Sequence, residues 1–158
     1  MVTTFRGFAN AAYADWVNYK STTGYIFLVT DGAITWKSNK QSITTQSSTE
    51  AEYITLWDAG KEALWLRNLY RKLGFSQATP TPISYDNTGA VAIVRNPQFH
   101  RWTKHIDFKF HWIREKVKEG WINLENCHTA KQTANMLTKA LPCPKHKQHM
   151  MEMGIMSV

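Results

Sequence analysis

Short runs rich in β-branched and aromatic residues fill the N-terminal part of the chain, and longer runs with helical spacing follow. Thr3 to Ala9 reads as a first strand. Gly24-Tyr-Ile-Phe-Leu-Val-Thr30 and Ala33-Ile-Thr-Trp-Lys-Ser38 read as two more, joined through Asp31-Gly32 in the pattern of a hairpin. From Thr49 to Leu73 the spacing turns helical. Leu56, Ala63, Leu66 and Tyr70 mark one face, Ile54, Trp57, Leu64 and Trp65 another, and so wide an apolar arc predicts burial on more than one side. Gly74 is placed to cap this helix. After a loop through Gln77-Ala-Thr-Pro-Thr-Pro82, Ile83 to Asp86 predicts a short strand, and Thr88 to Val94 a short helix stopped by Asn96-Pro97. A helix over about Ile106 to Lys118 ends at Gly120, and Trp121 to Asn126 forms a fifth strand. Gln132 to Ala140 predicts a helix closed by Leu141-Pro142, and the tail after Pro144, polar and then Met-rich, a short packed helix.

That order is three strands, helix, strand, two helices, strand, helix. The first part calls for antiparallel pairing and the alternating second part for parallel pairing with helical crossovers. The predicted fold class is α/β: a mixed five-stranded sheet, three antiparallel strands then two parallel, flanked by helices. With 158 residues the chain fits a single domain, its core over about 1–142 and a C-terminal tail over 143–158. Ligands of such open sheets gather at the carboxyl ends of the central strands, where the ends of the first and fourth strands and the start of the long helix should meet.

Composition adds class rather than site. Seven Trp, seven Phe and six Tyr among 43% apolar residues supply a packed core. No run approaches the roughly 20 apolar residues that span a membrane, and no charged-then-apolar leader opens the chain, so the expectation is no membrane partner. Two cysteines, Cys127 and Cys143, are too few for a disulfide framework and suit a reducing compartment. The net charge of +7 favours polyanions. Over 100–118, His100, Arg101, Lys104, His105, Lys109, His111, Arg114, Lys116 and Lys118 interleave with Trp102, Phe108, Phe110 and Trp112, the mixture of cations and flat rings that a nucleic-acid groove uses. Some of those rings must also be core.

Four polar stations sit where strands end or helices begin: Phe8-Ala9-Asn10-Ala11, Thr49-Glu50-Ala51-Glu52-Tyr53, Tyr85-Asp86-Asn87 and Thr133-Ala134-Asn135-Met136. Their layout is that of a metal-dependent nuclease centre, in which anionic oxygens hold two divalent cations about 4 Å apart. Only Glu52 and Asp86 are acids. The other two stations present Asn.

The runs Lys20-Ser-Thr-Thr-Gly-Tyr25, Ala33-Ile-Thr-Trp-Lys-Ser38, Ser47-Ser-Thr-Glu-Ala-Glu-Tyr53 and Lys61-Glu-Ala-Leu-Trp-Leu-Arg67 extend this pattern. With Asp86-Asn87, Asn96-Pro97, Thr103-Lys-His-Ile-Asp107 and Leu137-Thr-Lys-Ala-Leu-Pro142, the chain resembles the ribonuclease H domain of copia-type LTR retrotransposon Pol polyproteins along nearly its whole length. The resemblance implies the ribonuclease H fold and hydrolysis of the RNA strand of an RNA–DNA hybrid with Mg²⁺ or Mn²⁺, two ions. It also implies origin as the C-terminal part of a polyprotein whose reverse transcriptase part is a partner, acting in the cytosol or a virus-like particle. Its four carboxylate positions fall on Asn10, Glu52, Asp86 and Asn135.

Four acids would set about −4 of formal charge against +4 of metal, and this chain supplies −2. An Asn carbonyl coordinates as a dipole, so metal occupancy falls. Cleavage falls further if the first station bridges the ions, while hybrid binding through phosphates survives. Asp→Asn is nearly isosteric and removes charge alone. Two such exchanges among intact motifs fit deliberate silencing or natural loss, with retention as a non-catalytic hybrid-binding or structural domain as the alternative function. DNA strand transfer would need a different acid spacing.

Other residues have plainer readings beside the functional one. Thr49-Glu-Ala-Glu52 is a capping box in which Glu52 serves the helix end, and Glu50 is then an exposed first-turn acid facing the helix dipole. Asp15, in Tyr13-Ala-Asp-Trp16, is the rival for the first station but stands five residues before Lys20, where the resemblance implies about eleven. Asn10 stands ten before it. Asp107 reads as a helix-start acid. Lys104 and His105 are candidate phosphate contacts. His128 is a weak candidate for a loop histidine, and Cys127, Cys143, His146 and His149 lack the paired spacing of a zinc site.

Overall fold

The computed structural model describes residues 4–14, 19–75, 77–87, 94 and 104–155, the side chains of Lys104 and His105 excepted. Strands β1 (Phe5–Ala12), β2 (Thr22–Val29) and β3 (Gly32–Lys40) make an antiparallel meander. Strands β4 (Thr81–Tyr85) and β5 (Ile122–Asn126) add in parallel on the other side of β1, giving the order β3-β2-β1-β4-β5. This is the mixed five-stranded sheet that the order of runs predicts, with β1 at its centre. The hairpin turns at Thr30-Asp31, both at positive φ (48° and 63°), while Gly32 already pairs with Val29. The turn therefore lies one residue earlier than Asp31-Gly32 suggests.

Helix α1 (Ser48–Lys72) covers one face of the sheet with α2 (Lys104–Lys118) beside it. Leu56, Ala59, Ala63 and Leu66 of α1 pack with Phe5, Ala9, Phe27, Ile83 and Tyr85 of the strands and Phe110 and Ile113 of α2 in the main core. A smaller core on the other face joins Ile26 and Leu28 to Ala134 and Met153. There the chain forms two short 3-10 turns, Thr129–Lys131 and Thr133–Leu137, and then α3 (Cys143–Glu152). Met153 accepts the backbone amide of Ala33 at 3.0 Å, tying the end of α3 to the hairpin.

The helix predicted over Gln132 to Ala140 is not formed. Its Gln, Thr and Asn side chains bond to nearby backbone instead, the competition that keeps such residues out of helix interiors. Gln132 Oε1 accepts the amide of Ala134, and the Asn135 carbonyl takes the amides of Thr138 and Lys139 together with the Thr138 hydroxyl. The helix expected over Thr88 to Val94 lies outside the described residues apart from Val94, which is helical and buried.

Helix α1 ends as predicted, with Gly74 at φ 86° and the amide of Phe75 on the carbonyl of Tyr70. Its start differs. Ser47 is the N-cap and accepts the amide of Glu50. Glu50 is only 8% exposed, and its carboxylate takes the amide of Gln46 at 2.7 Å. Glu50, rather than Glu52, thus closes the helix end, and Glu50 is not the exposed acid predicted from the sequence.

Over 25 residues α1 runs about 37 Å, from the carboxyl ends of β1 and β4 to the opposite end of the sheet. There Trp65, Leu69, Leu73 and Phe75, with Ile34 of β3, line an open apolar groove of about 460 Å³. Trp36, Trp65 and Trp121 are exposed, so a core role does not hold for them.

Candidate active site

The central strands end where the polar stations lie. The parallel ladder between β1 and β4 pairs Gly7 with Ile83 and Phe8 with Ser84. Continued two residues further along each strand, that register sets Asn10 level with Asp86. Ile83 and Tyr85 point into the main core, so the alternation of a strand turns Ser84 and Asp86 to the other face, shared by Phe8 and Asn10.

Asn10 is buried at 6% exposure, and its Nδ2 donates to Thr138 Oγ1 at 2.6 Å. The Thr138 hydroxyl in turn donates to the Asn135 carbonyl at 3.2 Å. First and fourth stations are thereby joined through one threonine. Asn135 is buried at 3% exposure, and its Nδ2 donates to the Thr129 carbonyl at 3.1 Å. Such close approach requires a glycine on β2. Gly24 pairs with Asn10, and a Cβ on it would lie 2.5 Å from Thr138 Cγ2 and 3.2 Å from the Ala134 carbonyl.

With the helix cap made by Ser47 and Glu50, Glu52 is released for other work. Its Oε1 accepts Asn87 Nδ2 at 2.5 Å. Burial raises the Glu52 pKa above the usual carboxylate value. The Asn87 hydrogen bond opposes the rise, and the negative charge of Asp86 adds to it. Glu52 and Asp86 are therefore close enough to repel. The same charges reach further: burial, then Glu52 and Asp86, push the Tyr85 hydroxyl well up, and burial with Asp86 pushes the Cys127 thiol up to about 11. Cys127 is an inert thiol beside the site.

Glu52 Oε2 and Asn135 Oδ1 are both buried and have no hydrogen-bond partner among the described residues. A buried polar atom without a partner costs roughly 1–3 kcal/mol. An oxygen acceptor of this kind suits a hard divalent cation, which takes oxygen ligands; the Glu52 oxygen lies near Asp86, and Asn135 is tied through Thr138 to Asn10. Among the described residues no three His, Cys, Asp or Glu side chains cluster as metal ligands.

The remaining sequence candidates fall elsewhere. Asp15 and the His100 to Trp102 stretch lie outside the described residues, as do the side chains of Lys104 and His105. Asp107 is a first-turn acid of α2. His128 is exposed and caps the first 3-10 turn through the Ala130 amide. Cys143 is exposed and His149 is buried against Glu152, with Nδ1 and Oε2 2.8 Å apart. Sequence reasoning missed Thr138 and Gln132. Gln132 is fully buried, and its Nε2 donates to the carbonyls of Ala9 at 2.9 Å and Ser84 at 3.2 Å. No periodic signal marks a single buried amide or hydroxyl.

No family profile matches the chain. It is 39% identical over 138 residues, 87% of its length, to the "Retrovirus-related Pol polyprotein from transposon TNT 1-94" of Nicotiana tabacum. The chain spans about a tenth of the length of the curated relatives it matches, 10% of each. Among solved structures it resembles LC11-RNase H1 in complex with RNA/DNA hybrid, with a TM-score of 0.64 at 14% identity over 85% of this chain and 94% of that one. It also resembles a foamy viral protease-reverse transcriptase in complex with RNA/DNA hybrid, with a TM-score of 0.58 at 15% identity over 92% of this chain and 20% of that one.

Proposed function

This chain belongs to the retrovirus-related Pol polyproteins of transposons and has the ribonuclease H fold, and from that premise we propose that it grips RNA–DNA hybrids at an impaired metal-dependent nuclease site. The site is the cluster of Asn10, Glu52, Asp86 and Asn135. The observation that carries this reading is that two station oxygens are buried and partnerless among the described residues: Glu52 Oε2, near Asp86, and Asn135 Oδ1, whose residue is tied through Thr138 to Asn10. Glu52, Asp86, and the side-chain oxygens of Asn10 and Asn135 would hold Mg²⁺ or Mn²⁺. Bound there, the cations would polarise the scissile phosphate and lower the pKa of an attacking water.

The chain's own groups have separable tasks. Glu52 and Asp86 supply the negative charge, Asn87 orients Glu52, and Thr138 orients Asn10. Asn10 and Asn135 supply only dipoles, so the site carries half the charge of a four-acid centre and binds cations weakly. Hybrid binding does not depend on that deficit, because it draws on the net charge of +7 and phosphate contacts. Contacts to ribose 2′-hydroxyls would favour a hybrid over duplex DNA.

A second reading, a purely binding or structural domain, has its own support. Asn135 Nδ2 donates to a backbone carbonyl, a bond that an acid cannot make, so this position is adapted to an amide. A cleavage assay on labelled RNA–DNA hybrid separates the two. The chain as it stands should cut slowly or not at all, and the variant Asn10→Asp with Asn135→Asp should cut in a Mg²⁺-dependent way. A folded double variant that stays inert supports the structural reading. An unaltered chain that cuts as fast as the double variant overturns the proposed impairment.

A further inference from the structure

We propose that Gln132 is a positioning residue that fixes three of the four polar stations from behind with a single buried amide. The proposal rests on the site reading above and deepens it. The β1–β4 ladder pairs Phe8 with Ser84, and next to that pair the Gln132 amide bonds to both strands. Its Nε2 reaches the Ala9 carbonyl at 2.9 Å and the Ser84 carbonyl at 3.2 Å, so one nitrogen holds both strand ends. Its Oε1 accepts the Ala134 amide at 3.3 Å, and its backbone carbonyl accepts the Asn135 amide at 3.0 Å.

Each bond lies directly behind a station. Ala9 precedes Asn10, Ser84 is two residues before Asp86, and Ala134 precedes Asn135. The side chain is fully buried, so water does not compete for these carbonyls. Only an amide of this length does the task without a buried charge. Glu has no donor for the carbonyls, Asn is one methylene shorter, and Lys or Arg has no acceptor for the Ala134 amide. Cys127 Sγ, at 3.5 Å from the same nitrogen, completes the surroundings. Ligand geometry in metal sites depends on such supporting bonds, whose loss typically lowers metal affinity about 10–100-fold.

The test begins with the chain as it stands and needs no metal. Gln132→Met keeps the volume and removes the polar atoms, and Leu124→Val in the core of β5 serves as a control of general loosening. Hydrogen exchange followed by NMR should speed up about 10-fold or more at the amides of residues 10, 86 and 135 in Gln132→Met. The control should leave those three unchanged relative to the rest of the sheet. Faster exchange confined to 133–135, or the same pattern in the control, overturns the proposal. If Gln132→Met does not fold, Gln132→Asn, which keeps the amide and shortens its reach, is read in the same way. In the acid-restored variant (Asn10→Asp with Asn135→Asp), Mg²⁺ affinity measured by calorimetry should fall about 10–100-fold on adding Gln132→Met. Unchanged affinity overturns the proposal. Should the acid-restored parent itself bind no Mg²⁺, the metal reading of the site falls, and the exchange pattern alone decides the role of Gln132.

Discussion

Asn87 Nδ2 holds one carboxylate oxygen of Glu52 at 2.5 Å and leaves the other buried without a partner among the described residues. Burial and the charge of Asp86 outweigh that bond and raise the Glu52 pKa. A raised carboxyl holds its proton more tightly in the folded chain than in the unfolded one. Its favourable contribution is therefore present below the ordinary glutamate value of about 4.3 and is lost as pH rises through the raised one. Glu52→Gln should raise the melting temperature at about pH 7.5, and the gain should vanish near pH 4. Thermal melts at the two pH values check this, and no gain at the higher pH contradicts it.

Restoring the acids should have unequal effects on stability without metal. In Asn10→Asp the Thr138 hydroxyl can turn its one proton from the Asn135 carbonyl, which keeps two backbone amides, to the new carboxylate, so this exchange should cost less than about 1 kcal/mol. Asn135→Asp sets a carboxylate against the Thr129 carbonyl, which cannot reverse, and should cost about 1–3 kcal/mol. Added Mg²⁺ should narrow the gap by binding the folded state. Denaturant melts with and without Mg²⁺ measure both values, and the opposite ranking would show that the amide bonds are misjudged.

Recovery of cleavage should follow the other order of importance. Asn10 lies on the central strand and, by the continued register, level with Asp86, so an acid there would set a second carboxylate beside an existing one. Asn10→Asp alone should recover more Mg²⁺-dependent hybrid cleavage than Asn135→Asp alone, measured as initial rates on one labelled substrate.

Binding should not need any of these acids. Band shifts with the unaltered chain should show hybrid preferred to duplex DNA, with affinity falling about 10-fold or more between about 50 and 200 mM salt. Equal affinity for both duplexes would remove the case for ribose recognition.

Gly24→Ala tests the joint between β2 and the fourth station. The new methyl would meet Thr138 Cγ2 at 2.5 Å and should destabilise the chain by about 1–3 kcal/mol. The Asn10 to Thr138 bond should break with it, visible as a shift of the Asn10 side-chain amide in NMR spectra.

Much of the fold could be read in advance, because strands and long helices write their period into the chain. Phe27, Leu56 and Ile83 are where alternation and helical spacing put them, and the β1–β4 register, continued to the strand ends, sets Asn10 level with Asp86. What escaped depends on single side-chain bonds. Ser47 and Glu50 form the helix cap, although Thr49 and Glu52 have the same spacing, because the N-cap lies two residues earlier. The fourth station sits in a 3-10 turn rather than a helix because Gln132, Asn135 and Thr138 satisfy one another locally. Trp36, Trp65 and Trp121 were legible as large apolar residues but not as exposed ones, since hydropathy records what a side chain prefers and not what covers it.

The far end of α1 has a practical consequence. Trp65, Leu69, Leu73 and Phe75 leave a strip of bare hydrocarbon about 20–30 Å along the helix from Glu52, and strips of this kind adhere to one another in water. Prepared on its own, the polypeptide should become stickier with concentration, so clumping in a tube would report on that greasy tip and say nothing about whether the distant pocket is well made.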